Sequence, residues 1–235
     1  MNAPALSLAG LSSGYGDSIV LQNVDLTIAP GEIVALLGKN GMGKSTLLKS
    51  IMGFLPKAKG TVDAFGTAIT NWPPYRTARL GIGYVPQEKA LFQDLTVADN
   101  IRLALAPGAP FAGALERVEA AFPFLTKRLA QRAGTLSGGE QKMLLMSRAF
   151  AARARLILID EITEGLQPSV IERLADVIRR ERQASGASFL LVEQNVPFSR
   201  TVADRFAVLE RGEIVERGET ADPTAPARIA AHLSV

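Results

Sequence analysis

Apolar and polar positions alternate through the first thirty residues. Leu6-Ser7-Leu8, Ile19-Val20-Leu21 and Val24-Asp25-Leu26-Thr27-Ile28 carry the pattern, and a period of two predicts half-buried strands. Pro30-Gly31 supplies a turn that closes this β region. Ile33-Val34-Ala35-Leu36-Leu37 is then apolar without interruption, as a strand buried on both faces should be. A glycine-rich stretch follows, with a helix expected over residues 44–52. Residues 61–65 read as a further edge strand, and Ile82-Gly83-Tyr84-Val85-Pro86-Gln87 as a short strand running into a loop. Between Thr96 and Arg132 the spacing becomes helical, through Val97, Ile101, Leu103, Leu105, Leu115, Val118, Phe122 and Leu125. Pro107-Gly108-Ala109-Pro110 divides it into two helices.

The last third alternates strand and helix. A helix over 140–152 precedes a strand over 156–160, a helix over 169–183 and a strand over 188–192. A short helix over 196–203 and a strand over 206–210 complete the series, and Arg211-Gly212-Glu213 turns the chain into Ile214-Val215. Such alternation predicts an α/β fold with a mainly parallel sheet. The chain is expected to be one domain over 1–235. A helical subdomain is inserted at about residues 88–140, and the residues after Gly218, 219–235, form a short C-terminal appendage.

Composition adds limits. At 235 residues and 47% hydrophobic, the chain can bury a sizeable core, yet no apolar segment nears the roughly 20 residues of a membrane helix. Met1-Asn2-Ala3-Pro4-Ala5-Leu6 lacks the basic and apolar regions of a signal peptide. A soluble, cytoplasmic protein is therefore expected. The chain has no Cys, which excludes disulfides, thiolate metal sites and Cys nucleophiles. The net charge of +3 is small and the charges are scattered. The run Arg179-Arg180-Glu181-Arg182 reads as the solvated face of a helix rather than a nucleic-acid patch.

Two stretches carry phosphate chemistry. Gly38-Lys39-Asn40-Gly41-Met42-Gly43-Lys44-Ser45 fits the pattern G-x-x-x-x-G-K-[ST], with a buried strand before it and a helix after it. Glycines let the backbone curl so that N–H groups and a helix N-terminus face phosphate oxygens. Gly38, Asn40, Gly41, Gly43, Lys44, Ser45 and Thr46 are the nucleotide-binding candidates. Lys44 would reach the β- and γ-phosphates, and Ser45 would hold Mg²⁺. The apolar run Leu156-Ile157-Leu158-Ile159 ends in Asp160-Glu161. Asp160 emerges at the carboxyl end of a strand, where open α/β sheets bind ligands, and is a second Mg²⁺ candidate. Glu161 alone would pass for a solvated loop carboxylate. Beside a metal-holding Asp it is the candidate base for the attacking water.

Leu136-Ser137-Gly138-Gly139-Glu140-Gln141 resembles the signature motif of ABC-type ATPases, and the resemblance runs from Leu8 to about Gly218. It implies that family's fold: a P-loop NTPase core with an N-terminal antiparallel β subdomain and an inserted helical subdomain. Ser137 would open a helix as its N-cap, with Gly138 and Gly139 leaving N–H groups free as a second anion site. By the resemblance, this site closes on ATP held by another subunit, giving a head-to-tail dimer with two sandwiched nucleotides. Tyr15 resembles the aromatic that stacks on adenine, although it could be a turn residue packing on the sheet. Gln87 resembles the glutamine that senses the γ-phosphate and Mg²⁺, against a plain reading as a polar loop residue. A groove over residues 87–96 would face membrane permease subunits; Leu91 and Phe92 could belong to that contact or to the core.

The chain also departs from the family. Gln194 falls where most members have His, and the only His in the chain, His232, reads as a solvated tail residue. Gln167 replaces the usual Asp in the loop after Glu161, and Ile162 the common Pro. A glutamine amide can donate to a phosphate oxygen but cannot become cationic, so Gln194 is expected to act as a neutral phosphate sensor. Val192-Glu193-Gln194-Asn195 and the stretch 164–169 resemble ATPases of branched-chain amino-acid, amide and urea importers, with 163–168 nearest the urea type. That implies a second, often non-identical ATPase subunit, transmembrane permeases, a periplasmic solute-binding protein and a place on the inner face of the plasma membrane. An ABC-type ATPase of DNA repair or chromosome organisation is disfavoured, because the interval from Lys44 to Ser137 holds no coiled coil and there is no Cys for zinc. A metabolite kinase would have no use for residues 136–140.

Overall fold

Period-two apolar spacing builds two sheets that face each other. The computed structural model describes residues 3–55, 57–87 and 91–233, with the backbone alone at 57 and 58. Along the chain come β1 (Leu6–Tyr15), β2 (Ser18–Ile28), β3 (Ile33–Leu37), α1 (Lys44–Met52), β4 (Lys57–Ala64), β5 (Thr67–Ala68), α2 (Pro74–Arg79) and β6 (Ile82–Val85). Next come α3 (Val97–Arg102), α4 (Phe111–Ala121), α5 (Pro123–Thr126), α6 (Gly138–Ala151), β7 (Leu156–Asp160) and α7 (Pro168–Ser185). β8 (Ser188–Glu193), α8 (Val196–Val202), β9 (Arg205–Glu210), β10 (Glu213–Glu219) and α9 (Ala225–Leu233) complete it.

The amino-terminal sheet is antiparallel, in the order β2-β1-β4-β5; the core sheet runs β10-β9-β3-β8-β7-β6. Within the core sheet all pairings are parallel except β9 with β10. Its strands are apolar throughout because both faces are covered, and successive residues serve opposite sides. Leu36, Leu158, Leu190 and Leu209 pack with α1 and the antiparallel sheet. Leu37, Ile157, Phe189 and Val208 pack on the other side with helices α3 to α9.

Several details differ from the periodicity reading. The strand expected at the edge over 61–65 is β4, which lies between β1 and β5; Phe65 leaves it with φ 53°. Two-residue β5 is too short to leave a periodic signal, so the true edge was not visible. The segment after Thr96 holds three helices rather than two, because Phe122 breaks the run (φ −140°, ψ 74°) and Pro123 starts α5. Short α2, opened by Pro74, was not anticipated. The start of the inserted segment at 88 lies outside the described residues. The residues after Gly218 finish β10 and form α9, whose Ala225 and Ile229 are fully buried in the core. In the basic run on α7, Arg179 pairs with Asp176 and Arg182 with Asp204, and Arg180 is exposed, as on a solvated face.

Because Ile229 fills core space, Ile229→Ala is expected to cost about 2–4 kcal/mol. Urea unfolding followed by circular dichroism should show a lower midpoint with little change in slope.

Candidate active site

Parallel register brings the candidate residues to one edge. Leu37 of β3 pairs with Glu193 of β8, and Asp160 of β7 pairs with Val192. The loop after Leu37, the Asp160-Glu161 pair and the end of β8 therefore emerge side by side, with β6 next to β7 supplying the approach to Gln87.

The loop over 38–45 is fixed by close packing. A Cβ on Gly38 would lie 2.5 Å from the Leu209 carbonyl oxygen, and Gly43 has φ 102° with Leu21 3.0 Å from where its Cβ would be. Gly212, at the β9–β10 turn, donates its N–H to the Met42 carbonyl at 3.1 Å, which ties the loop to the far end of the chain. No side chain caps α1, so its first-turn N–H groups and dipole are available to an anion.

Lys44 is buried. Its Nζ donates to the Gly38 and Lys39 carbonyls at 2.8 Å each and lies 3.0 Å from Glu161 Oε1. Ser45 Oγ donates to Asp160 Oδ1 at 3.0 Å, and Tyr84 donates its hydroxyl to Asp160 Oδ2 at 3.4 Å. Burial pushes the Asp160 carboxyl above the usual range, opposed by the Ser45 hydrogen bond and reinforced by neighbouring Glu161. Burial and Asp160 likewise push the Tyr84 phenol up. A hydroxyl and a carboxylate are hard oxygen donors that fit Mg²⁺. Among the described residues, no group of three or more His, Asp and Glu could hold an ion. Phosphate oxygens and water would complete such a site.

Glu161 is the hub. It is buried, adopts the left-handed region with φ 46° and donates its N–H to Val192 O at 2.9 Å. Its Oε2 accepts from Gln87 Nε2 and Gln194 Nε2, both at 3.1 Å. Gln87 also donates to Glu164 Oε2 at 2.6 Å, and Gln194 to Asn40 Oδ1 at 2.7 Å. Lys44, Ser45, Gln87 and Glu161 line a cavity of about 370 Å³ with Tyr15 and Thr46. Tyr15 is 47% exposed, with Lys49 Nζ 6.0 Å from its ring centroid. A second cavity of about 410 Å³ shares Asn40 and Glu161 and adds Glu193 and Gln194.

Ser137, Gly138 and Gly139 line neither cavity. Ser137 caps α6 as expected, with Glu140 closing a capping box by accepting the Ser137 N–H at 3.0 Å. Ser137 and Gly138 are exposed, and a Cβ on Gly138 would meet nothing within 4 Å. The loop over 137–139 thus stands apart from the site holding Lys44.

Tyr84, Thr163 and Glu193 belong to the site although none lies in a phosphate motif. Tyr84 was only a strand residue until the pairing of β6 with β7 placed its hydroxyl on Asp160. Glu193 is buried and accepts from Thr163 N–H at 3.1 Å and Thr163 Oγ1 at 2.7 Å. Burial pushes its carboxyl up, and the Thr163 hydrogen bonds pull it back. The only hint was a carboxylate ending an apolar strand. His232 is not a free tail residue, since its Nδ1 lies 3.3 Å from Glu210 Oε2. Leu91 packs against the core, whereas Phe92 is 54% exposed.

A model of the family described as ABC transporter matches residues 21–164. Over 212 residues the chain is 37% identical to the high-affinity branched-chain amino acid transport ATP-binding protein BraG of Pseudomonas aeruginosa, covering 89% of this chain and 91% of that protein. Over 211 residues it is 38% identical to a probable branched-chain amino acid transport ATP-binding protein, LivF, of Archaeoglobus fulgidus, covering 88% and 89%. Among solved structures it is similar to an ATP-binding subunit of an ABC transporter (TM-score 0.83, 28% identity, 96% and 94% covered). It is also similar to an ATP-binding cassette in a dimeric post-hydrolysis state bound to ADP and Pi (TM-score 0.81, 25% identity, 92% and 98% covered).

Thr163→Val removes a hydroxyl donor from a buried carboxylate. Unfolding experiments are expected to show a loss of about 1–3 kcal/mol, with Thr163→Ser losing clearly less.

Proposed function

This chain belongs to the ABC transporter family and is one of its ATPases, and we propose that it energises import of branched-chain amino acids or a related small polar solute such as urea or an amide. The named relatives support the amino-acid end of that range. The stretch 163–168, which resembles the urea type, keeps the other end in view. It works on the inner face of the plasma membrane, against permease subunits, with a periplasmic binding protein delivering the solute. Among the described residues no helix is long and apolar enough to cross a membrane.

The observation that carries the mechanism is spatial. Lys44, Ser45, Asp160, Glu161, Gln87 and Gln194 converge, while Ser137–Gly139 face outward elsewhere. One chain holds half of each of two ATP sites, and a head-to-tail dimer, with a second and often non-identical ATPase, assembles them. Tyr15 stacks on adenine at the cavity rim. The loop N–H groups and Lys44 take the β- and γ-phosphates. Ser45 and Asp160, with Gln87, would hold Mg²⁺, which when bound would supply positive charge against the phosphates. Transfer of the Lys44 ammonium to the γ-phosphate frees Glu161 Oε1 to orient a water and accept its proton. Gln87 and Gln194 keep the other oxygen in place. Gln194 does so as a neutral donor, so the site fires without an imidazole.

Glu161→Gln is expected to lower the steady-state ATPase rate about 100-fold or more while ATP binding and ATP-driven association persist. Near-normal turnover in that variant would remove Glu161 as the base. Gln194→Ala should reduce kcat roughly 10-fold, by loss of a hydrogen bond to a charged group, with a smaller change in ATP affinity. An unchanged rate would leave it without a role. The solute is tested on the periplasmic binding protein proposed to serve this importer: calorimetry with leucine and with urea should favour leucine, and urea binding alone would shift the assignment to the urea type.

A further inference from the structure

We propose that Lys142 is a positioning residue that couples the signature loop to the catalytic turn of the same chain, so that the grip of Ser137–Gly139 on the partner's nucleotide sets the geometry of Glu161. The proposal rests on the head-to-tail reading above. Lys142 lies in the first turns of α6, four residues beyond Gly138 and so about 6 Å further along one helix axis. Its Nζ donates to Ile162 O at 3.0 Å and Glu164 O at 2.5 Å, and lies 3.5 Å from Glu161 O. These three carbonyls belong to the turn that holds Glu161 at φ 46°.

Carboxylates of Glu161, Glu164 and Glu193 surround this ammonium. Even so, among the described residues none lies within ion-pairing distance of it. It therefore grips main chain, and a cation clamped on several carbonyls fixes backbone direction rather than one side-chain rotamer. Burial of the Lys142 amine pushes its pKa down, opposed by the charges of Glu164, Glu193 and Glu161. Leu166 of the same segment lies close to the start of the helix, since a Cβ added at Gly139 would sit 3.4 Å from its Cδ2. The amino end of α6 is thus tied to the segment 161–166 through Lys142, and any displacement of the signature loop is carried to the turn by a single rigid helix. At the other end of the turn, Glu161 is held by its N–H on the Val192 carbonyl and by side-chain contacts with Lys44, Gln87 and Gln194.

The test uses the assembled ATPase with Lys142→Met, which keeps the aliphatic stem, and Lys142→Arg, which keeps the cation. Lys142→Met is expected to lower kcat about 10-fold, with KM for ATP changed less than about 2-fold. ATP-driven association, measured by sedimentation in a Glu161→Gln background, should be retained, and Lys142→Arg should recover most of kcat. A kcat within 2-fold of the parent would overturn the proposal. So would loss of association together with kcat, since Lys142 would then serve the signature loop alone. If Lys142→Met melts at a lower temperature, Lys142→Gln decides: a kcat loss at an unchanged melting temperature supports coupling, and full activity rejects it. Failure of the Glu161 assignment itself shows separately, as turnover in Glu161→Gln with Lys142 intact.

Discussion

The site exists because three parallel strands end in step. β3, β8 and β7 pair without a register shift, and a shift of one residue in any of them would exchange the faces on which Leu36, Leu158 and Leu190 lie. The two apolar layers, one under the antiparallel sheet and one under the helices, leave no freedom for that slip. Hydrophobic burial thus sets the positions of Gly38, Asp160 and Glu193 to within a hydrogen bond. The polar network around Glu161 then fits into a frame already determined.

That network concentrates conflicting demands in a small volume. Asp160, Glu161, Glu164 and Glu193 are four carboxylates in neighbouring positions, and Asp160, Glu161 and Glu193 are buried. Lys44 is the one cation that pairs with any of them among the described residues. The rest are satisfied by neutral donors: Ser45, Tyr84, Thr163, Gln87 and Gln194. A left-handed non-glycine backbone at Glu161 adds a strain of about 1–3 kcal/mol. Neutral amides, rather than a titrating imidazole, stand against the Glu161 carboxylate.

The fold was legible where sequence and structure share a short range. β3, α1 and β7 have in the structure the bounds read from their apolar runs and from the glycine loop between the first two. The segment after Thr96 was legible as helical but not in number, since its apolar spacing runs on through Phe122-Pro123, where the structure ends α4 and opens α5. The motif residues were legible as chemistry, and the structure brings Lys44, Ser45, Asp160, Glu161, Gln87 and Gln194 into one place. Tyr84, Thr163, Glu193 and Lys142 were not, because their partners depend on which strands and helices become neighbours. The strand order β3-β8-β7-β6 is a long-range property that local periodicity does not carry.

The same strand order dictates when the molecule can take shape. β3 is made within the first forty residues, yet its two pairing partners are β8 and β9, near the other end of the chain. During synthesis the antiparallel sheet can close once β5 has appeared, while β3 waits with both edges bare for some 150 residues more. Non-local pairing of this kind is slow and exposes unpaired strands to aggregation. The phosphate loop following β3 gains its last support, the Gly212 tie to Met42, later still. A ribosome-bound chain that stops before the β9–β10 turn therefore carries the complete nucleotide motif in an unfinished frame, and its ability to hold nucleotide arrives late and all at once.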